Sequence, residues 1–203
     1  MVEPGSTTPE VHWLEQVHGR QVVVVDDVRA ARPGSPPRGD ALVSRSSSVA
    51  LCVLVADCAP IALASPEGVF AAVHAGWRGL ADGVVAAAVD TMASLGATSV
   101  AAVVGPCIHP CCYAFGVADL ELLVDAFGPE ARSRTRGGRP ALDLPAAALA
   151  ALRDAGVGLA ARPGRCTACG GGLFSHRARG DQQRQAVVVW RSEAGESGAG
   201  TPG

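Results

Sequence analysis

Apolar positions along this chain fall in short runs broken by Gly, Pro and polar clusters, which predicts many short elements. Residues 11–16 alternate and predict a strand. Residues 21–26 hold four consecutive valines and predict a buried strand. Residues 41–44 predict a short strand, and residues 49–55, apolar and β-branched, a central one. The Ala/Val/Met/Leu pattern over 80–95 predicts a helix stopped near Gly96. A strand is expected over 99–104, and helices over 118–127 and 145–155, the latter with Pro145 in its first turn. Strands over 157–161 and 186–190 close the pattern. Between them lie a loose arm (1–9), a Pro/Gly loop (29–40), a Cys/Pro-rich loop (105–116), a mobile polar loop (128–140) and a disordered tail (192–203). Strands and helices are interleaved, so the expectation is an α/β protein of stacked mixed sheets. One domain spans 1–191.

The clearest local geometry is a β-hairpin. Residues 60–64 and 69–74 are apolar and flank Ser65-Pro66-Glu67-Gly68, a turn with Pro and Gly in favoured places. If Ser65 faces Gly68, residue 59 faces His74 and Cys58 faces Ala75. That register makes Cys58 and His74 close neighbours at the open end of the hairpin.

Composition narrows the class. The chain has 203 residues, 48% of them hydrophobic and only 4% aromatic, so Ala, Val and Leu must build its core. The formal net charge is -2, without the basic face of a nucleic-acid-binding module. Residues 49–55 are too few to span a bilayer. The first nine residues lack the basic-then-apolar pattern of a leader, so the cytoplasm is the expected compartment. Seven cysteines is an odd count that does not suit a disulfide framework. It suits metal binding, reactivity or simple burial.

Three segments concentrate polar residues at strand ends: 16–19, 56–60 and 74–79. His18, Cys58 and His74 supply the donor set of a catalytic zinc site, three protein ligands with one position left open. The competing reading gives each histidine a hydrogen bond and makes Cys58 core. Gly19 would let the backbone turn beside the metal. Asp57 can orient a ligand, act as a general base or hold a substrate hydroxyl, or it caps a turn. Arg78, at a helix start between Gly76 and Gly79, is a candidate anion ligand or an ordinary surface residue. The block 105–113 holds Cys107, His109, Cys111 and Cys112. It is either a second metal or thiol site or a rigid loop with buried thiols, the latter favoured for Cys111 and Cys112. Cys166 and Cys169 have the CxxC spacing of a zinc knuckle or redox pair, with no second pair to complete a knuckle. Phe174-Ser175-His176-Arg177 is a polar segment and a candidate to close a pocket, a weak signal by itself.

The segments QVHG (16–19), GDALVS (39–44), ADCAPI (56–61), HAGWRG (74–79), GPCIHPCCYAFG (105–116), CTAC (166–169) and FSHR (174–177) together resemble the YfiH family. That family is also called the polyphenol-oxidase laccase-domain or peptidoglycan-editing-factor family. The resemblance implies zinc on His18, Cys58 and His74 and a layered α/β/β/α, YfiH-like fold. It implies phosphorolysis of adenosine, inosine, guanosine and methylthioadenosine, with deamination of adenosine. On that expectation Asp57 moves a proton, Arg78 and Arg177 hold phosphate, and Cys107, His109, Ser175 and His176 are candidate substrate contacts. His109 stands where most members have Gly, and His176 where most have Tyr. Members usually begin further upstream. The expected partners are purine nucleosides and phosphate, with no nucleic acid and no membrane, in a monomer or weak homodimer. Three alternatives compete. One is a copper oxidase of phenols, for which five histidines are few. Another is a cysteine hydrolase of peptidoglycan precursors using Cys58 and His74. The third is a non-catalytic zinc protein acting through partners.

Overall fold

The computed structural model describes residues 8–26, 35–161 and 163–192. In order these form β1 (Glu10–His12), β2 (Val22–Val24), β3 (Ala41–Ser44), β4 (Val49–Val55), β5 (Ala59–Ala64), β6 (Phe70–Ala75), α1 (Trp77–Asp82), α2 (Val84–Ser94) and β7 (Ala101–Val104). There follow α3 (Val117–Phe127), β8 (Arg132–Arg134), β9 (Pro140–Leu142), α4 (Leu144–Asp154), β10 (Gly158–Ala161), α5 (His176–Arg179) and β11 (Gln185–Trp190). The six-stranded sheet runs β10-β7-β5-β6-β3-β2, the three-stranded sheet β1-β4-β11, and β8 pairs with β9. Both larger sheets are mixed: β10–β7, β2–β3 and β1–β4 are parallel, the other pairings antiparallel.

Two cores follow from the period-2 alternation of β3 and β6. Leu42, Phe70 and Ala72 face the three-stranded sheet and pack with Val49, Leu51 and Val53. Ala41, Val43, Ala71 and Val73 face the other way and meet the helices through Leu80, Val84, Ala88, Met92, Leu123, Leu144 and Leu152. Strands buried on both faces read as unbroken apolar runs, which is why β3 to β6 carry little polar alternation. Truncating a fully buried Leu51 or Ile61 to Ala would cost about 2–5 kcal/mol. The mixed-sheet α/β class expected from the element pattern is the one observed, and β4 is central in its sheet.

Several expectations are corrected. The hairpin pairs Ala59 with Ala75 and Pro60 with His74, one residue away from the expected register. The reason is Gly68 at φ 83, a left-handed residue whose N–H donates to the Ser65 carbonyl while Ser65 N–H donates to the Val69 carbonyl, so that Ser65 faces Val69 and not Gly68. The helix over 80–95 is two helices, α1 and α2, because Gly83 takes φ 86 between them. The valine run 22–25 lies at a sheet edge, and β2 is only half-buried, although Val25 beyond it is buried. Residues 132–142 form the β8–β9 hairpin instead of a mobile loop, anchored by fully buried Ala141 and Leu142. The expected arm falls mostly, and the expected tail almost wholly, outside the described residues. So does part of the 29–40 loop. No helix among the described residues is long and apolar enough to cross a membrane.

Candidate metal centre

Hairpin register sets the first part of the site. His74 lies near the end of β6 on the face that carries Phe70 and Ala72. Cys58 precedes β5 one step beyond the Ala59–Ala75 pair, so it meets Gly76. A Cβ on Gly76 would lie 3.1 Å from Cys58 Sγ and 3.0 Å from His18 Cδ2, so only glycine leaves these side chains their room. His18 arrives from the loop between β1 and β2. Its ring meets that of His74 edge-on at a centroid distance of 4.8 Å. One ligand atom from each of His18, Cys58 and His74 falls within 4.8 Å of the others. Two imidazoles and one thiol open to a cleft fit a tetrahedral catalytic zinc site with one free position.

Asp40 holds this arrangement from behind. It is fully buried and accepts from His18 N–H (2.9 Å), Gly19 N–H (2.7 Å), Val17 N–H (3.3 Å) and His74 Nδ1–H (2.8 Å). The last bond fixes the His74 tautomer and leaves Nε2 free for the cation. Burial pushes the Asp40 carboxyl up, but the bonds from His74, Gly19 and His18 outweigh it and hold the group below its ordinary value. Burial also pushes Cys58 up, yet hydrogen bonds with His18 and His74 bring its thiol down to about 6. Burial lowers His74, whereas bonding to Asp40 and Cys58 raises it to about 9. Both shifts act in the direction that favours a thiolate on Cys58 and a protonated ring on His74.

Two non-glycine residues among those described have positive φ: His18 at 60° and Asp57 at 102°. The turn beside the metal thus falls on His18 itself, not on Gly19 as expected. Such backbone persists where surrounding bonds over-determine it, typically at functional sites. Asp57 shows how. Its carboxylate accepts from Thr167 Oγ1 (2.6 Å) and Arg177 N–H (2.7 Å), and its carbonyl accepts from Ile108 N–H (2.8 Å).

His18, Cys58 and His74 open onto a cleft of about 610 Å³, whose walls include Asp57, Trp77, Arg78, Tyr113, His176, Arg177 and Arg184. This volume lies in the small-ligand range. Arg78 Cζ sits 4.2 Å from the Trp77 ring and Arg177 Cζ 5.0 Å from that of Tyr113, so aromatic faces orient both guanidinium groups. Burial and the nearby Cys58 push the Tyr113 hydroxyl up to about 12, leaving it a neutral donor.

The structure thus brings His18, Asp57, Cys58, His74, Arg78, His176 and Arg177 to one cleft. It does not bring Cys107, His109 or Ser175 there. Cys107 is fully buried, burial pushes its thiol far up, and its carbonyl binds Thr167 N–H. Ser175 is fully buried and caps α5 through Ala178 N–H (3.2 Å). His109 sits at the start of the turn before Tyr113, its Nε2 buried without a hydrogen-bond partner. Asp40, Tyr113, Thr167 and Arg184 carry parts of the site that sequence reasoning gave no role. Asp40, Tyr113 and Thr167 fall inside the GDALVS, GPCIHPCCYAFG and CTAC blocks, but nothing local to them marked those roles.

Comparison with known proteins shows the family of this chain. The family described as multi-copper polyphenol oxidoreductase laccase matches residues 3–192. The chain is 42% identical over 189 residues to a purine nucleoside phosphorylase of Streptomyces coelicolor, covering 92% of this chain and 77% of that protein. A Mycobacterium tuberculosis protein of the same name is 38% identical over 183 residues, covering 89% and 72%. Among solved structures, YlmD from Geobacillus stearothermophilus matches with a TM-score of 0.78 at 31% identity over 91% of this chain and 74% of that one. The Bacillus licheniformis YfiH protein shares the fold, with a TM-score of 0.77 at 24% identity over 89% and 74%.

Proposed function

We propose, from the multi-copper polyphenol oxidoreductase laccase family to which this chain belongs, that it is a metal-dependent purine nucleoside phosphorylase. One observation carries the reading: three converging donors, His18, Cys58 and His74, lie in a cleft that also presents Asp57, Arg78 and Arg177. In phosphorolysis a phosphate oxygen bonds to the ribose anomeric carbon. The bond from that carbon to the purine breaks, and the base leaves with a proton. Arg78 and Arg177 bind the phosphate as fixed guanidinium forks. Asp57, locked by Thr167 and Arg177, holds a ribose hydroxyl or passes a proton at its carboxylate. Trp77 and Tyr113 offer aromatic surface for the base. Zinc on His18, Cys58 and His74 would supply a Lewis acid with an open position. The same site is proposed to deaminate adenosine, adding water and releasing ammonia to give inosine.

The test incubates metal-replete protein with inosine and phosphate and measures hypoxanthine. Phosphate-dependent hypoxanthine is expected, and none would refute the reading. Adenosine without phosphate should yield inosine.

A second reading is favoured by the line Asp40–His74–Cys58, the order of a cysteine hydrolase. Chelation separates the two, because a dyad survives metal removal. The family's description names copper, but a multi-copper centre needs more histidine ligands than His18 and His74, the only histidines among the described residues within a cluster of three or more donor side chains.

A further inference from the structure

Outside this cleft, Cys111, Cys112, Cys166 and Cys169 form a second constellation, their sulfurs all within 4.8 Å of one another. We propose that these four cysteines bind a structural zinc ion that staples the 105–116 loop to the CTAC loop. The vicinal pair Cys111–Cys112, remote in sequence and adjacent in space, supplies the second pair that the CTAC spacing lacks.

Sulfur spacing carries the argument. A zinc–sulfur bond of about 2.3 Å in a tetrahedron sets sulfur–sulfur separations of about 3.8 Å. From Cys111 the observed separations are 3.6 Å to Cys112, 3.7 Å to Cys169 and 3.9 Å to Cys166. These are far beyond a disulfide bond, and all seven cysteines are free. Four thiols without a carboxylate or imidazole make a soft donor set that suits zinc and leaves no position for water.

The surroundings fit an anionic cluster. His109 N–H donates to Cys166 Sγ at 3.3 Å. Arg136 places Nη2 3.5 Å from Cys169 Sγ, while its N–H binds the Cys111 carbonyl at 3.2 Å. Gly170 N–H reaches the Cys166 carbonyl at 2.7 Å, and a Cβ on Gly170 would strike that oxygen, so the turn requires glycine. The staple bears on the cleft through Thr167, between the two cysteines of that loop, which hydrogen-bonds Asp57.

The experiment titrates reduced, metal-free protein with cobalt(II) as the probe and measures zinc content after loading with zinc. Two metal equivalents per chain are expected, one giving intense thiolate-to-cobalt absorption with tetrahedral d–d bands. Cys112→Ser and Cys169→Ser should each bind one equivalent and lose most of that absorption, whereas His18→Ala should keep it. Zinc loading should slow modification of the four thiols by a thiol reagent at least tenfold. Should the serine variants fail to fold, cobalt absorption and thiol protection in the unaltered protein decide alone. Cobalt absorption in that protein no stronger than a single thiolate ligand gives, thiols equally reactive with and without zinc, or a mass deficit revealing disulfides would each overturn the proposal.

Discussion

Replacing Asp40 by Asn tests the whole scaffold of the His18–Cys58–His74 site with a near-isosteric change. Asp40 accepts four hydrogen bonds through two fully buried oxygens, one from the His74 ring and three from the loop that carries His18. An amide keeps one oxygen and points a donor where a donor already stands. Leaving a buried donor unmet, together with losing a charge-assisted bond, should cost about 2–3 kcal/mol. For a chain of this size that lowers Tm by about 4–12 °C. The His74 tautomer is no longer enforced, so zinc affinity should fall roughly 10- to 100-fold. The assay is a thermal melt of metal-free protein plus zinc competition against a chelator. Exposed Asp90→Asn, the control, should change stability by no more than about 0.5 kcal/mol. Asp40→Asn indistinguishable from that control in both measurements would refute the reasoning.

Gly76→Ala should leave the fold intact, since φ -75 and ψ 165 suit alanine, yet weaken metal binding roughly tenfold or more by pressing on Cys58 and His18; competition with a chelator measures it. Arg78→Gln should lower kcat/KM for phosphate roughly 10- to 100-fold by removing a charged hydrogen bond, read from phosphate saturation curves with inosine. In metal-free protein the contribution of the Cys58–His74 pair to stability should stay nearly level between about pH 6 and 9. As pH falls through that window the folded Cys58 stays ionised while its unfolded counterpart is protonated, so its contribution, present at higher pH, is lost toward about 6. As pH rises through the same window the folded His74 stays protonated while its unfolded counterpart is neutral, so its contribution, present at lower pH, is lost toward about 9. The two slopes cancel, because folded and unfolded pairs bind equal numbers of protons. Denaturant titration of the unaltered protein and the Asp90→Asn control across about pH 6–9 checks this, and a slope of a full proton in that window would contradict the paired-charge account.

The sequence by itself determined the elements and much of the chemistry. Short apolar runs marked β3 to β7, and Pro and Gly marked the turn that folds Cys58 back toward His74. Histidine and cysteine at strand ends named the donors, because ligand type is a property of the residue alone. What only the tertiary structure decided was register and company. Whether Cys58 meets residue 75 or Gly76 depends on a single left-handed glycine in the turn, whose conformation the residue types permit but do not impose. Asp40 acquires its role because β3 pairs beside β6, which no local pattern around residue 40 reveals. Cys111 and Cys112 read as buried thiols until the bridge between Cys107 and Cys166 brings the CTAC loop against them. The physical reason is common to all three cases: local preference acts over a few residues, whereas a binding site is set by long-range strand pairing that closes distances the chain itself leaves open.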